Sequence, residues 1–369
     1  MLIPFNDLKK QNLSKNLGLF DLIKSKIADS DFIGGSSVQD FEKNFSNIMQ
    51  APFCASCANG TDALEIAFRC LGVKPGDEVI VPAQTWISTA EAISTLGAVP
   101  VFCDTQNNVS QLINYDMIEE LVTPKTVGVV PVHLYGRTAN LHQIKKIAQR
   151  NNLWVIEDCA QAHLAIFDGN FVGTTTSLGT FSFYPGKNLG ALGDAGAIIC
   201  SDQQLFTLFK MYACHGGLKK GEHKIEGRNS RLDAIQACVL NAKIAFLETW
   251  TKARKEIASR YSILLEGIGD LELPTKLMDG EDHVFHLFVV ATNYRNELFE
   301  YLNSAGISCG IHYKKCLPEL ECYHDRNSQH IVNARIYENK IISLPIFPEM
   351  TDDQVHYVVT KIKEFFNGI

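Results

Sequence analysis

The sequence predicts an α/β fold in which a mostly parallel sheet forms a large domain and a smaller α+β domain follows it. Two observations predict this fold. Short β-rich runs alternate with helical stretches along much of the chain, which is typical of a parallel sheet with crossover helices. With 369 residues, the chain also exceeds one ordinary domain. We expect residues 1–240 to form an N-terminal arm and the large domain, and residues 241–369 to form a linking helix and the small C-terminal domain.

The individual elements follow from hydrophobic periodicity and turn signals. In the large domain the strand-like runs are Glu78–Pro82, Val99–Asp104, Thr126–His133, Leu153–Asp158 and Gly196–Cys200. One helical pattern ends at Gly72, and two others cover residues 86–97 and 140–150. A long amphipathic helix is predicted to begin at Leu232. In the small domain a strand-like run covers His286–Val290, and helices are expected near 295–305 and 351–366.

Charge and hydropathy exclude several classes of partner. The chain carries 34 basic and 41 acidic side chains, a net charge of −7, which argues against nucleic acid or an anionic membrane surface as the main partner. No apolar run approaches the roughly 18 to 20 residues that span a bilayer. Pro4 and the early charges do not fit a signal peptide. We therefore expect a cytoplasmic protein with small ligands.

The eleven cysteines are scattered along the chain, which suits reduced thiols better than a disulfide framework. Cys54 and Cys57 form a single C-x-x-C pair, whereas a zinc site of this kind needs a second pair. We expect no metal, and packing as the role of most cysteines.

One lysine stands among glycines and a proline. Lys187 follows an aromatic strand-like run and is held in a turn by Pro185 and Gly186. A phosphate P-loop is excluded because six residues separate Gly179 from Gly186 and Asn188 follows the lysine. A dinucleotide fingerprint is excluded because the later glycines are spaced by threes. The lysine is left with two roles: it covers a turn, or it forms a Schiff base with a carbonyl cofactor.

Two further positions admit both a structural and a functional interpretation. The turn Asn59–Thr61 enters a helix, where it is either a plain N-cap or a phosphate site. Asp158 ends a strand, either as a cap or as the partner of a pyridinium nitrogen. Because ligands sit beyond the carboxyl ends of parallel strands, we expect one crevice there. The residues expected beside it are Trp86, Asp104, His133, Asp158, Ser182 and Lys187.

Five motifs together resemble the DegT/DnrJ/EryC1/StrS sugar aminotransferases. They are Asn59–Thr61, Glu157–Gln161, Ser182–Asn188, Gly193–Gly196 and Asn229–Asp233. The resemblance covers nearly the whole chain, and the motifs keep the family's order. It implies a pyridoxal 5′-phosphate (PLP) enzyme of transferase fold type I, which moves an amino group from an amino acid to a nucleotide-linked keto-sugar.

The resemblance also implies a role for each matching residue at the cofactor ring. Lys187 would hold PLP and later move the proton, and Asp158 would pair with the pyridine nitrogen. Trp86 would stack on the ring, and Gln161 would contact the ring hydroxyl.

The phosphate of PLP would be bound by residues of two subunits. Gly60, Thr61 and Ser182 would bind it from one chain, and Asn229 would reach it from a second chain. The resemblance therefore implies a homodimer with shared active sites.

The substrate is inferred from the residues around the lysine. The stretch Tyr184–Asp194 looks more like the members that aminate a 3-keto sugar than like the 4-keto group. The candidates for holding the hexose hydroxyls are Tyr184, His312 and Tyr313. We expect dTDP-3-keto-6-deoxyhexose as acceptor, L-glutamate as donor, and a product destined for a glycan such as a lipopolysaccharide O-antigen or for a glycosylated metabolite. The alternatives are a 4-keto-6-deoxyhexose, a UDP-linked 3-keto-sugar, or a PLP-binding regulatory subunit without turnover.

The chain departs from the family's pattern at several positions. These are Cys159, Leu164, Ala195 and Arg228, together with residues 316 and 318, where the usual proline and histidine are missing. The cofactor residues are intact, so the differences bear on sugar recognition more than on cofactor chemistry.

Overall fold

The computed structural model describes residues 1–219, 221–324 and 328–369. The strands are β1 (Phe53–Cys57), β2 (Glu78–Pro82), β3 (Val99–Cys103), β4 (Thr126–Val129), β5 (Trp154–Asp158), β6 (Ile166–Phe167), β7 (Asn170–Phe171), β8 (Leu178–Ser182), β9 (Gly196–Cys200), β10 (Phe288–Ala291) and β11 (Ile341–Leu344). The helices are α1 (Leu8–Asn12), α2 (Leu19–Ala28), α3 (Gly35–Ile48), α4 (Gly60–Cys70), α5 (Ser88–Ser94), α6 (Leu141–Arg150), α7 (Gln203–Ala213), α8 (Ala234–Ile244), α9 (Leu247–Leu265), α10 (Arg295–Ser304), α11 (Asn333–Tyr337) and α12 (Asp352–Asn367). None of the helices in these ranges is both long and apolar enough to cross a membrane.

Seven strands form one sheet in the order β1-β9-β8-β5-β4-β2-β3. The five strands from β8 to β3 in this order are parallel, whereas β9 runs antiparallel to both β1 and β8. Strands such as β2 and β5 are buried along four of their five residues, which is why they appear in the sequence as continuous apolar runs. The predicted fold class, α/β with a mostly parallel sheet, is confirmed.

One strand is shorter than predicted. β4 ends at Val129 rather than near residue 133. Pro131 has no N–H group and cannot continue the ladder as a donor. Beyond it, Val132 keeps a single bridge to Asp158 of β5. The carboxyl end of β4 is therefore an irregular segment beside the end of β5.

Two helical predictions also need correction. The long helix predicted from Leu232 is divided into α8 and α9, with a break at residues 245–246. In the N-terminal segment the spacing of Leu19, Ile23 and Ile27 predicts one helix, whereas the structure has α1 and α3 in addition to α2. Phe41 and Phe45 of α3 are fully buried and lie one turn apart, so they anchor one face of this helix on the large domain.

A second core belongs to the C-terminal part of the chain. β10 and β11 pair antiparallel, and α9, α10 and α12 pack together around the apolar side chains of this small sheet. Ile3 of the N-terminal segment is buried in the same cluster. α8 packs against α3 of the large domain. The domain boundary at residue 240 stays a prediction.

Gly128 of β4 is in close contact with a side chain of the neighbouring strand β5. Its register partner in β5 is Trp154, and a β-carbon added to Gly128 would lie 2.2 Å from the Trp154 ring. We expect Gly128→Ala to lower the apparent free energy of unfolding by about 1–3 kcal/mol, because overpacking forces the ring or the strand to move. The urea midpoint of unfolding measures this change.

Gly368→Ala is the matched control for this prediction. A β-carbon at Gly368 meets its nearest neighbours at 3.5 Å, an ordinary contact distance. Equal midpoints for the two variants would show that β4 and β5 are not packed as described.

Candidate active site

A cavity of about 870 Å³ lies beyond the carboxyl ends of the parallel strands, between the large domain and the small one. Ten of the eleven residues predicted for the site line it: Gly60, Thr61, Trp86, Asp158, Gln161, Ser182, Tyr184, Lys187, His312 and Tyr313. The cavity thus lies where the strand-end rule predicts it, and the structure adds residues of the N-terminal segment to its lining.

Lys187 is presented by the loop that follows β8. Its backbone N–H donates to the carbonyl of Tyr184 at 2.8 Å, which closes the turn. The next residue, Asn188, is buried and donates from Nδ2 to the carbonyl of Val284 at 3.3 Å. Burial lowers the pKa of the Lys187 amine to about 8, against an opposing effect of the Asp158 charge. The amine is therefore much more nucleophilic near neutral pH than an ordinary lysine.

Asp158 is the last residue of β5, and its side chain is buried. Thr89 Oγ1 donates to Oδ2 at 2.9 Å, and the N–H of Ala160 donates to Oδ1 at 3.1 Å. Burial raises the pKa of this carboxyl, while the two hydrogen bonds and the charge of Lys187 lower it. A buried carboxylate that faces a cavity is suited to bind a protonated ring nitrogen.

The N-terminus of α4 meets the end of β8 at the cavity. A β-carbon on Gly60 would lie 2.6 Å from Cβ of Ser182, so only glycine fits there without movement. Asn59 caps the helix by accepting from the N–H of Asp62 at 2.8 Å. The first N–H groups of a helix have no partner within the helix and attract anions. The turn is therefore an N-cap whose first N–H groups are suited to bind an anion in the cavity.

An aromatic pair, with one ring from each domain, lines the cavity. The ring of Tyr313 lies 5.6 Å from that of exposed Trp86, between centroids, and its hydroxyl accepts from Gln161 Nε2 at 2.9 Å. Gln161 Oε1 accepts from the N–H of Tyr135 at 2.5 Å. Burial lowers the pKa of neighbouring His312 to about 4, so this imidazole is neutral.

Two residues expected beside the crevice lie elsewhere, so that expectation was wrong for them. Asp104 is buried and accepts from the N–H groups of the first turn of α11, including Asn333 and Ala334. His133 is fully buried and shares a hydrogen bond of 2.9 Å with Glu157. The strand-end rule predicts which edge of the sheet a residue reaches, but not the direction of its side chain.

Asn229 is exposed and is not among the residues that line the cavity of its own chain. Its backbone pairs with Cys214 after α7. A contribution of Asn229 to the phosphate site therefore requires a second chain.

Several cavity residues were missed by the sequence analysis. They are Phe5, Asn6, Leu8, Thr89 and His286. Thr89 lies in an ordinary helical pattern, His286 begins an ordinary strand-like run, and Phe5, Asn6 and Leu8 lie near the chain start. No local signal distinguishes them, because only the tertiary fold brings them to the carboxyl edge of the sheet.

The family is decided by comparison with known proteins. The DegT/DnrJ/EryC1/StrS aminotransferase family matches residues 21–363. The chain belongs to this family. The resemblance found in the sequence is confirmed, and so is the expected enzyme class.

Three curated relatives match nearly the whole chain. The chain is 38% identical to the pleiotropic regulatory protein of Geobacillus stearothermophilus, covering 99% of both chains. It is 36% identical to UDP-N-acetyl-3-dehydro-alpha-D-glucosamine 3-aminotransferase of Acidithiobacillus ferrooxidans, over 99% of this chain and 98% of the relative. It is 38% identical to dTDP-3-amino-3,6-dideoxy-alpha-D-galactopyranose transaminase of Aneurinibacillus thermoaerophilus, over 99% of both.

Two solved structures are similar to this fold over nearly the whole chain. DesV of S. venezuelae, in complex with a ketimine intermediate, has a TM-score of 0.96 and 33% identity, covering 100% of this chain and 99% of that one. NtdA of Bacillus subtilis, with bound cofactor PMP, has a TM-score of 0.91 and 28% identity, covering 99% of this chain and 85% of that one. The expected PLP cofactor is confirmed for the family, and the Lys187 amine, the Asp158 carboxylate and the anion site at Gly60 fit it.

The lowered pKa of Lys187 makes a testable prediction for the cofactor-free protein. Because the unprotonated amine is the reactive form, its reductive methylation by formaldehyde should rise with pH about a midpoint near 8. In Asp158→Asn the midpoint should move to lower pH, because the carboxylate charge that favours the ammonium form is gone. Mass spectrometry of the peptide that contains Lys187 measures both.

Asp353→Asn, an exposed substitution in the first turn of α12, is the control and should leave the midpoint unchanged. A wild-type midpoint near that of an exposed lysine, about 10.4, would contradict the burial of the amine.

Proposed function

We propose that this protein transfers an amino group from L-glutamate to C3 of a dTDP-linked 3-keto-6-deoxyhexose, giving a dTDP-3-amino-3,6-dideoxyhexose. One observation carries the proposal. Lys187 and Asp158 both line the cavity at the carboxyl edge of the sheet, and the charge of Asp158 acts on the lysine amine. Family membership supports the reaction class. The names of the relatives that act on 3-amino and 3-keto nucleotide sugars support C3 as the position.

Lys187 would hold PLP through its amine, and two further groups of residues would bind the cofactor. Asp158 would bind the pyridine nitrogen and keep it protonated. Gly60, Thr61 and Ser182 would bind the phosphate at the N-terminus of α4. When bound, PLP supplies an electron sink for the carbon that exchanges its amino group.

Lys187 would then act as the proton carrier. With a pKa of about 8, its Nζ is partly unprotonated near neutral pH, so it can accept a proton from the α-carbon of the amino donor. The same group can return a proton to C3 of the sugar when the acceptor occupies the cavity. His286 and His312 stay neutral because burial lowers the pKa of both, so they offer hydrogen bonds to a substrate rather than charge.

The lining of the cavity has features of a sugar site. Leu8, Leu287 and Ile346 line the cavity with apolar surface, which suits the C6 methyl group of a 6-deoxyhexose. Tyr184 and His312 provide polar contacts for ring hydroxyls. This combination supports a neutral deoxy sugar as the acceptor.

We further propose a homodimer in which Asn229 completes the phosphate site of the other subunit. The exposed position of Asn229 outside its own cavity supports this arrangement. Exposed apolar side chains nearby, Phe32 and Ile33, adjoin α8, since the carbonyl of Phe32 accepts from the N–H of Ala234. Such side chains are suited to an interface between two copies of the chain.

The choice of sugar is tested with the PLP-loaded protein and L-glutamate. Offered dTDP-3-keto and dTDP-4-keto 6-deoxyhexoses side by side, it should aminate the 3-keto sugar, and NMR of the product locates the new amine. A UDP-linked 3-keto sugar serves as the third acceptor. Lys187→Ala should abolish turnover with every acceptor, because the proton carrier is lost. Exclusive use of the 4-keto or the UDP-linked sugar would refute the proposed acceptor, and no turnover at all would favour a regulatory subunit.

Shared active sites are tested by complementation between inactive variants. In a heterodimer of Lys187→Ala and Asn229→Ala, one site receives both defects and the other receives none, so activity should return. A heterodimer of Lys187→Ala and Asp158→Ala is the control, because each site then carries one defect. If both purified heterodimers are equally inactive, the role of Asn229 is contradicted.

A further inference from the structure

The N-terminal arm, residues 3–12, is attached to the small domain at both ends. The N–H of Ile3 donates to the carbonyl of Gly306 at 2.8 Å, and the N–H of Ser308 donates to the carbonyl of Ile3 at 2.9 Å. At the other end, Lys10 Nζ donates to the carbonyl of Glu349 at 2.9 Å. The residues between these anchors are therefore held in place as part of the cavity wall.

A row of ring contacts connects the arm with the cofactor end of the cavity. Phe5 stacks on His312 with centroids 5.5 Å apart and an angle of 22°. His312 meets Tyr313 edge to face at 5.5 Å, and Tyr313 lies 5.6 Å from Trp86. The arm is thus connected to Trp86 through three ring contacts.

Asn6 is the next residue of this arm, and it lines the cavity. Its side-chain amide makes no hydrogen bond with the parts of the chain that the structure describes. Two other asparagines near the cavity differ from Asn6 in this respect. Asn59, at the N-terminus of α4, and Asn188, next to Lys187, both make side-chain hydrogen bonds within the protein. An amide in a partly buried wall loses solvation that a bound polar group can replace.

We propose that Asn6 is a specificity-determining residue that hydrogen-bonds a hydroxyl group of the hexose. The inference rests on the proposed function. The donor amino acid is small and must place its α-carbon beside Lys187, whereas a nucleotide sugar extends outward from the reacting carbon. A primary amide can donate to and accept from a hydroxyl, and Phe5 and His312 hold the arm in place beside it.

The test separates the two half-reactions of the PLP-loaded protein. The spectral change is followed after mixing with L-glutamate and, separately, with dTDP-3-amino-3,6-dideoxy-galactose, which runs the sugar half-reaction backward. Asn6→Leu should lower kcat/KM of the amino-sugar half-reaction on the order of tenfold, because a substrate hydroxyl loses its partner. The L-glutamate half-reaction should change far less. Calorimetric binding of the same amino sugar to the cofactor-free protein should weaken in parallel.

Asn47→Leu is the matched control, because Asn47 is exposed on α3 and lies outside the cavity. Asn6→Ala is the second variant if leucine disturbs the arm, as judged by thermal melting. Equal losses in both half-reactions, or no loss in either, would overturn the role of Asn6 while the aminotransferase function stands. If wild-type protein reacts with L-glutamate but neither binds nor converts the amino sugar, the proposed acceptor and the role of Asn6 both fail.

Discussion

The site depends on the burial of two opposite charges at one edge of the sheet. Removing water from Lys187 favours its neutral amine, and removing water from Asp158 favours its neutral acid. The charge of each group partly offsets the pKa shift that burial causes in the other group. The outcome is an amine that can lose its proton near neutral pH beside a carboxylate that is held by Thr89 and the N–H of Ala160. Both properties are needed for chemistry that binds a ring nitrogen at one group and moves protons at the other.

The position of Asp158 depends in turn on its neighbour in β5. Successive strand residues point to opposite faces of a sheet. Glu157 is fully buried and accepts from His133 Nε2, the N–H of Gly173 and the hydroxyl of Thr176. A carboxylate with this many donors holds the end of β5 firmly, so Asp158 is directed toward the cavity.

The large domain and the small domain supply different parts of the cavity. The large domain carries the lysine on the loop after β8, the carboxylate at the end of β5 and the anion site at the N-terminus of α4. The small domain and the N-terminal arm carry His312, Tyr313, Phe5 and Asn6. Substrate preference can therefore change through the small-domain wall while the cofactor residues stay the same. The departures from the family's pattern at residues 316 and 318 fall in the segment that follows Tyr313, which is consistent with this division.

The amino-acid sequence by itself determined the fold class, most strand positions and ten of the residues that line the cavity. Such predictions succeed where the signal is local: an apolar run ends at Asp158, a turn holds Lys187, and Gly60 opens a helix. Only the tertiary structure decided that Asp104 caps α11, that His133 forms a hydrogen bond with Glu157, and that Asn6 lines the cavity. The physical reason is that these placements depend on side-chain direction and on contacts between segments up to about 300 residues apart, such as Phe5 with His312. Periodicity and turn chemistry describe a residue's neighbours along the chain, whereas packing between distant elements selects which polar groups meet a ligand.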